Sequence, residues 1–447
     1  MGQITIGKPF LEERVLKSTV TVSNDIRKYI KNSDFFIEYN DEIKANESIL
    51  NIPLTATILP LAWLTGSNVY VGNLDKRFKE SMDLLQKTFA ETYPLGRFTT
   101  EIKADKLTDN KTNPANPENN TGILFSGGVD STYSLYKNIH LNPKLIMLWG
   151  IDDFSYPEKS EYWTKVISIY KNWANKHNLE YHIVKTNNSQ ILDDRRIEHK
   201  YNKIIYDGRL RPALQHSLVL LPTAAPLSIG RFNRFIIAAS GTPESHNFMK
   251  PRAARPWFDE KIVWADLNVI NHGSLSRNKK IQEMKEFILN EGVTFKVCVM
   301  SKPIDDYIND SSCEKCYRTI ISLVISGIDP NLCGFKVDET TFLKMKNFWL
   351  KRKSTRMSNT WTELQELIPE EIEHDFYGSK AFFEWYRDFD LSETERSWLY
   401  NDLYNALPYS LAKLLDKVYH RYGINIHENP KKRINKKSLP ETKQSLS

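Results

Sequence analysis

The stretch Thr121 to Asn138, TGILFSGGVDSTYSLYKN, constrains the fold more than any other part of this 447-residue chain. Three apolar residues, Ile123, Leu124 and Phe125, lead into a turn of Ser126-Gly127-Gly128-Val129-Asp130-Ser131, and a helix-forming run follows. Two adjacent glycines let backbone N–H groups approach a ligand with no Cβ in the way. The Ser126 and Ser131 hydroxyls flank them, and the helix that starts there aims its positive end at the same spot. Together these features describe a phosphate cradle. It is not a Walker A loop, because the Gly-Lys-Ser/Thr ending is missing.

Downstream of this turn the chain alternates between strand and helix patterns. Leu145 to Trp149 is a continuous apolar run of the kind a buried parallel strand needs. Gly150-Ile151-Asp152-Asp153 follows at its carboxyl end, where open α/β sheets place ligand contacts. Helical spacing over Ser160–His177 turns Val166, Ile169, Tyr170 and Trp173 inward, and Leu179–Val184 reads as a third strand. A helix over about Ala213–Leu221, stopped near Pro222, leads to a strand at Phe235–Ala239. Parallel strands need crossover connections, and this order supplies them. The expectation over 119–337 is an α/β fold built on a doubly wound parallel sheet. Past its last predicted strand, small residues from Ser240 to His246 precede a group of cations. Lys250 and Arg252 are the candidates there for phosphate or carboxylate contacts, arginine being suited to bidentate capture. A solvated surface loop is the other reading of that segment.

Residues 1–118 are expected to form an added α+β domain. Val15–Val22, Phe35–Tyr39 and Ile49–Ile58 read as β-rich runs, and Val69–Val71 as a compact strand. Phe78–Phe89 has helical spacing, with Met82, Leu85 and Phe89 on one stripe. The polar segment Lys106–Asn120 reads as a linker. Beyond residue 337 the pattern is helical to about 430, with dense aromatics and the cations Lys344, Lys346, Lys351, Arg352, Lys353 and Arg356 among them. A helical core with a solvated face explains such a mixture, and single-stranded nucleic-acid binding is the other reading. Residues 431–447 read as a disordered basic tail, a contact for a partner or nucleic acid. Five positive charges within 431–437 account for most of the formal net charge of +6, so the rest of the chain is nearly neutral. Bulk charge therefore does not point to a nucleic-acid protein.

No run of about 18 consecutive apolar residues is present, and MGQITIGKPF does not read as a signal peptide. Ile6 stands where myristoylation wants Ser or Thr. Four cysteines in the whole chain fit a reducing compartment, so a cytoplasmic protein with no membrane partner is expected. Three of them, Cys298, Cys313 and Cys316, have the spacing of a zinc knuckle. The Cys-x-x-Cys pair sits just ahead of a predicted helix, Tyr317–Ser326, and Cys298 lies on a predicted strand, Phe295–Met300. Buried, inert thiols are the alternative. A thioredoxin-like pair is disfavoured because no first βαβ strand precedes it.

The hexapeptide SGGVDS resembles the signature of the PP-loop ATP pyrophosphatases. That resemblance implies a PP-loop (HUP-like) fold, and cleavage of ATP between the α and β phosphates to AMP and pyrophosphate. Within this superfamily, SSCEKCYRTI is similar to the zinc segment of the 7-cyano-7-deazaguanine synthases, which carry an isolated Cys, then Cys-Gly-x-Cys-x-x-Cys, then an Arg. Cys298 takes the isolated position, Cys313 and Cys316 the last two, and Arg318 follows. Asp310 stands where the family has its second Cys, and Ser311 where it has Gly. The implied zinc ligands are then Cys298, Asp310, Cys313 and Cys316, with one oxygen in a soft-ligand set.

The resemblance spans about Gly122 to Gly334. It implies ATP held by Ser126, Gly127, Gly128, Val129, Asp130, Ser131 and Asp152, with Mg²⁺ neutralising the phosphates. Asp130, Lys250 and Arg252 make up the candidate catalytic set. The implied reaction adenylates the carboxylate of a 7-deazaguanine, which ammonia or an amine then attacks. The added regions look like those of the enlarged synthase-like proteins of bacterial anti-phage gene clusters, which implies a protein partner from the same operon. Two other readings stay open: a PP-loop tRNA-modifying enzyme, and a non-catalytic ATP-binding scaffold of a defence complex.

Overall fold

The computed structural model describes every residue except 1, 94, 117, 152–159, 206–208, 240–254, 274, 299–306, 352–357, 392–406, 412–413 and 415–447. The chain divides into two compact units, residues 1–337 and 338–447.

In the first unit, eleven strands among the described residues join in one mostly parallel sheet. They are β1 (Gln3–Ile6), β2 (Phe10–Glu12), β3 (Val15–Val22), β4 (Asp34–Tyr39), β5 (Asn68–Asp75), β6 (Ile102–Thr108), β7 (Thr121–Leu124), β8 (Lys144–Trp149), β9 (Tyr181–Thr186), β10 (Arg234–Ala238) and β11 (Asn268–His272). The spatial order is β11-β10-β7-β8-β9-β4-β3-β1-β5-β6, with β2 beside β3. From β11 to β9 every neighbouring pair is parallel. Strand β7, first of that block in sequence, lies in its middle, so the strand order reverses between β7 and β10. Open parallel sheets bind ligands in the crevice such a reversal creates. Strands β7 and β8 are buried along their whole length, as the apolar runs that follow Thr121 and Lys144 require.

The strands of residues 3–108 continue the same sheet. Strand β4 pairs antiparallel with β9, with Ile37 opposite Thr186 and Tyr39 opposite Val184. Asn187 extends the seam: its Oδ1 accepts from the Phe36 N–H at 3.0 Å and its Nδ2 donates to the Asp34 carbonyl at 2.7 Å. The segment expected as a linker overlaps this region, since Lys106–Thr108 belong to β6.

Two further elements differ from the sequence expectation. Ile49–Ile58, expected as β-rich, instead falls in a one-turn helix, Glu47–Leu50, and the helix α1 (Ile52–Thr65). The Asn46 side chain accepts from the Ser48 and Ile49 N–H groups at the start, and Gly66, at φ +68°, ends the run. All fourteen residues of α1 are buried, so no amphipathic period marks it as helical. Among the described residues Glu47–Thr65 is the one helical stretch long and apolar enough to span a bilayer, and 94% of its most apolar window is buried inside the fold. The stripe of Met82, Leu85 and Phe89 is buried as expected, on α2 (Lys76–Thr92), which Asp75 caps through the Phe78 N–H. The helix expected over Ala213–Leu221 is a π-turn, Arg211–Gln215, followed by α-helix through Pro222 to Thr223.

The first unit also holds α4 (Ser160–Lys176), α5 (His216–Thr223) and α7 (Lys285–Glu291), and the second unit contains α9 (Thr341–Lys351), α10 (Ser358–Glu366) and α11 (Ser379–Arg387). The aromatics of the second unit form a core. The Trp349 and Trp361 rings meet edge to face at 4.5 Å, and the Tyr386 hydroxyl donates to the Trp361 carbonyl at 2.9 Å.

Candidate functional site

The turn expected to cradle phosphate sits at the carboxyl end of β7, at the strand-order reversal. The Phe125 N–H still donates to the Ile146 carbonyl, at 2.8 Å, so the ladder with β8 runs one residue past β7. The chain then turns through Gly127, at φ +74°, where a Cβ would collide with the Tyr170 ring. The Gly127 carbonyl is drawn into the protein: it accepts from the Lys296 N–H at 2.7 Å and from the Tyr170 hydroxyl at 3.0 Å. Gly128 caps α3 (Val129–Asn138). Amide N–H groups of a first helical turn have no intrahelical acceptor, and this turn faces the crevice end of β7. Ser131 Oγ donates to the Gly128 carbonyl at 3.1 Å, accepts from the Ser126 N–H at 3.3 Å and lies 3.2 Å from Ser126 Oγ. The two hydroxyls thus brace the turn across its mouth, Ser131 buried and Ser126 exposed.

Asp130 points to cations from far along the chain. Its Oδ1 accepts from Lys280 Nζ at 2.7 Å and its Oδ2 from Arg277 Nη2 at 3.1 Å. Both lie on α6 (Arg277–Glu283), whose start Ser276 caps through the Lys279 N–H. Burial pushes the Asp130 carboxyl up, but Arg277 and Lys280 outweigh it and hold the group below its ordinary value, so it stays ionised. Lys280 is fully buried and also donates to the Ala239 carbonyl at 2.7 Å, tying the end of β10 to α3.

The cysteine constellation is a second centre. The thiol or carboxylate atoms of Cys298, Asp310, Cys313 and Cys316 all lie within 4.8 Å of one another, and the cluster could hold a metal ion. Cys313 Sγ is 3.4 Å from Cys316 Sγ and 3.7 Å from Cys298 Sγ, and Cys316 Sγ is 3.4 Å from Asp310 Oδ1. Cys333, the remaining thiol, is buried and lies outside this cluster. Sulfur-bound protons of Cys313 and Cys316 stabilise a Cys298 thiolate far below its usual range, and the same bond to Cys298 pushes Cys313 up to about 12. A divalent cation would let all three thiols ionise.

Cys298 does not lie on a strand. Residues 295–298 belong to no strand or helix and are held by the buried Asn309. Asn309 Oδ1 accepts from the Val297 and Cys298 N–H groups at 3.0 and 3.1 Å, and its Nδ2 donates to the Phe295 and Gly334 carbonyls at 2.7 and 2.8 Å. One amide thus does the work of a neighbouring strand. Asp310 Oδ1 accepts from the Ser312 and Cys313 N–H groups at 2.9 and 3.0 Å, which shapes the entry to α8 (Glu314–Ile325). Two residues past Cys316, α8 carries Arg318, buried at 5% exposure. Burial, with repulsion from Arg277 added, lowers its pKa to about 10.

Ser126, Gly127, Gly128, Val129, Asp130 and Ser131 are thus brought together in one turn, and the four expected metal ligands in one cluster. Asp152, Lys250 and Arg252 lie outside the described residues. Sequence reasoning missed Arg277, Lys280 and Asn309. A signal existed for the first: a cation at the first position of α6 opposes the helix dipole, so Arg277 answers to something other than its own helix. Comparison of the chain with protein-family models, with curated proteins and with solved structures finds no match.

Proposed function

We propose that this chain is an ATP-dependent enzyme that forms AMP and pyrophosphate, adenylating a carboxylate for attack by ammonia or an amine, in the manner of the 7-cyano-7-deazaguanine synthases it resembles. The observation that carries the reading is the convergence of the Ser126–Ser131 turn, the α3 N-terminus and the Arg277–Asp130–Lys280 bridge at the strand-order reversal. Backbone N–H groups and a helix N-terminus suit phosphate oxygens, and the two cations offset the charge that gathers on the departing group. Asp130 then acts as a positioning residue, fixing Arg277 and Lys280 against α3. In the reaction a substrate carboxylate oxygen bonds to the α phosphorus as the bond to the β-phosphate oxygen breaks. The nitrogen nucleophile then displaces AMP from the acyl carbon. Mg²⁺, carried in with ATP, would screen the phosphates.

The cluster of Cys298, Asp310, Cys313 and Cys316 suits zinc. Zn–S bonds of about 2.3 Å place tetrahedral sulfurs about 3.8 Å apart, close to the separations of 3.4 and 3.7 Å found here. Four protein ligands close the coordination shell, so zinc would be structural, joining residues 295–298 to the start of α8.

The test is product analysis with α-labelled ATP, with and without 7-carboxy-7-deazaguanine, for the wild type and Asp130→Ala. AMP that forms with the deazaguanine and falls by about 10²-fold in the variant is expected. AMP formation indifferent to that compound would sink the deazaguanine assignment and leave the ATP chemistry standing. No AMP under any condition would overturn the enzymatic reading.

A further inference from the structure

Arg318 is a buried and poorly compensated charge among the described residues of the first unit. Its Nε is buried with no hydrogen-bond partner, and no described carboxylate forms an ion pair with it. Arg277 repels it, while Glu314, Cys313 and Asp130 attract it without an ion pair. Arg277 has the same defect: its Nη2 reaches Asp130, yet its Nε is buried and unpartnered. Beside it, Asn278 is 2% exposed with neither end of its amide paired. Helix α6, which carries Arg277 and Asn278, packs against both α3, which begins at the phosphate turn, and α8, which carries Arg318. Arg277, Lys280 and Arg318 thus set three cations against the carboxylates of Asp130 and Glu314, and the Nε donors of both guanidiniums stay unmatched. Proteins seldom bury a guanidinium with unmatched donors unless an anion completes it.

The unmatched donors decide which anion. A carboxylate offers two acceptor oxygens, whereas the terminal phosphates of a nucleoside triphosphate offer enough to pair with Arg318, Arg277 and the Asn278 amide together. Guanidinium forks also fit phosphate oxygens in pairs. We infer that Arg318, with Arg277, forms the subsite for the β and γ phosphates, which depart together as pyrophosphate. The inference rests on the ATP-cleaving reading above and adds to it a residue from the cysteine-bearing helix. As the bond from the α phosphorus to the bridging oxygen breaks, its electron pair settles on the pyrophosphate oxygen, and the Arg318 and Arg277 N–H groups receive that charge.

The experiment is calorimetric titration of inorganic pyrophosphate, and separately of AMP, into wild type, Arg318→Met and Arg318→Lys, with thermal melts of each ligand-free protein. Arg318→Met should weaken pyrophosphate binding at least about tenfold and leave AMP affinity within about twofold. Arg318→Lys should fall between the two. The ligand-free Met variant should melt higher than wild type, because an unpaired buried charge has been replaced by a packed apolar chain. Unchanged pyrophosphate affinity in Arg318→Met would overturn the inference. So would a lower melting temperature with pyrophosphate and AMP weakened alike, the mark of a merely structural residue. A wild type that binds ATP and forms AMP but ignores pyrophosphate would overturn this subsite alone, whereas one that binds neither ATP nor pyrophosphate would remove the nucleotide site as well.

Discussion

Two neighbouring glycines in the turn answer to different demands. Gly127 has φ +74° and a carbonyl held by Lys296 and Tyr170, and a Cβ there would strike the Tyr170 ring. Gly128 has φ −79°, and a Cβ there would meet nothing closer than ordinary contact at 3.5 Å. Gly127→Ala should therefore cost about 1–3 kcal/mol of stability. Gly128→Ala should leave stability within about 0.5 kcal/mol while placing a methyl group where a phosphate must approach. Denaturant melts and ATP titrations of both variants separate the roles: the first loses stability and binding together, the second loses binding alone. Equal melting losses in the two would contradict this division.

At the scale of elements, α8 joins the two centres. Its first turn carries Cys316 and its second Arg318, while Asp310 and Asn309 brace the approach to it. A cation bound to the four ligands would stabilise the start of this helix and so hold Arg318 in place. Purified protein should contain about one zinc per chain by mass spectrometry, and chelation should lower its melting temperature by more than about 5 °C. Asp310→Cys, which supplies a fourth thiolate, should slow metal loss to the chelator, since zinc favours sulfur in such sites. Faster loss from that variant would show that the backbone bonds Asp310 makes to Ser312 and Cys313 matter more than the ligand type.

For the whole molecule, the β4–β9 seam has the largest consequence. It makes the strands of residues 3–108 part of the sheet that carries the phosphate turn. A chain beginning at residue 119 would leave β9 as a bare edge and strand the bonds that Thr186 and Asn187 make to Phe36 and Asp34. Unpaired apolar edges pair with other molecules. The 119–337 fragment should accordingly aggregate on expression, whereas 1–337 should stay monodisperse in size-exclusion chromatography. A well-folded, monomeric 119–337 fragment would show that the seam contributes little.

Sequence alone determined those features whose cause lies within a few residues. The Gly127-Gly128 turn, the unbroken apolar runs of β7 and β8, the amphipathic α2 and the Cys313–Cys316 spacing are each set by local backbone chemistry or local period, and each is legible. Helix α1 was not, because a segment buried on every side has no polar face to reveal its period. Nor was β11, a five-residue strand whose polar Asn271 and His272 break the apolar signal. Tertiary structure alone decided the electrostatics. Arg277 and Lys280 stand 147 and 150 residues from Asp130 in the chain, and meet it only because β10 lies beside β7 and brings α6 against α3. Pairings at that separation depend on the order of strands in the sheet, and no local window of sequence contains that order.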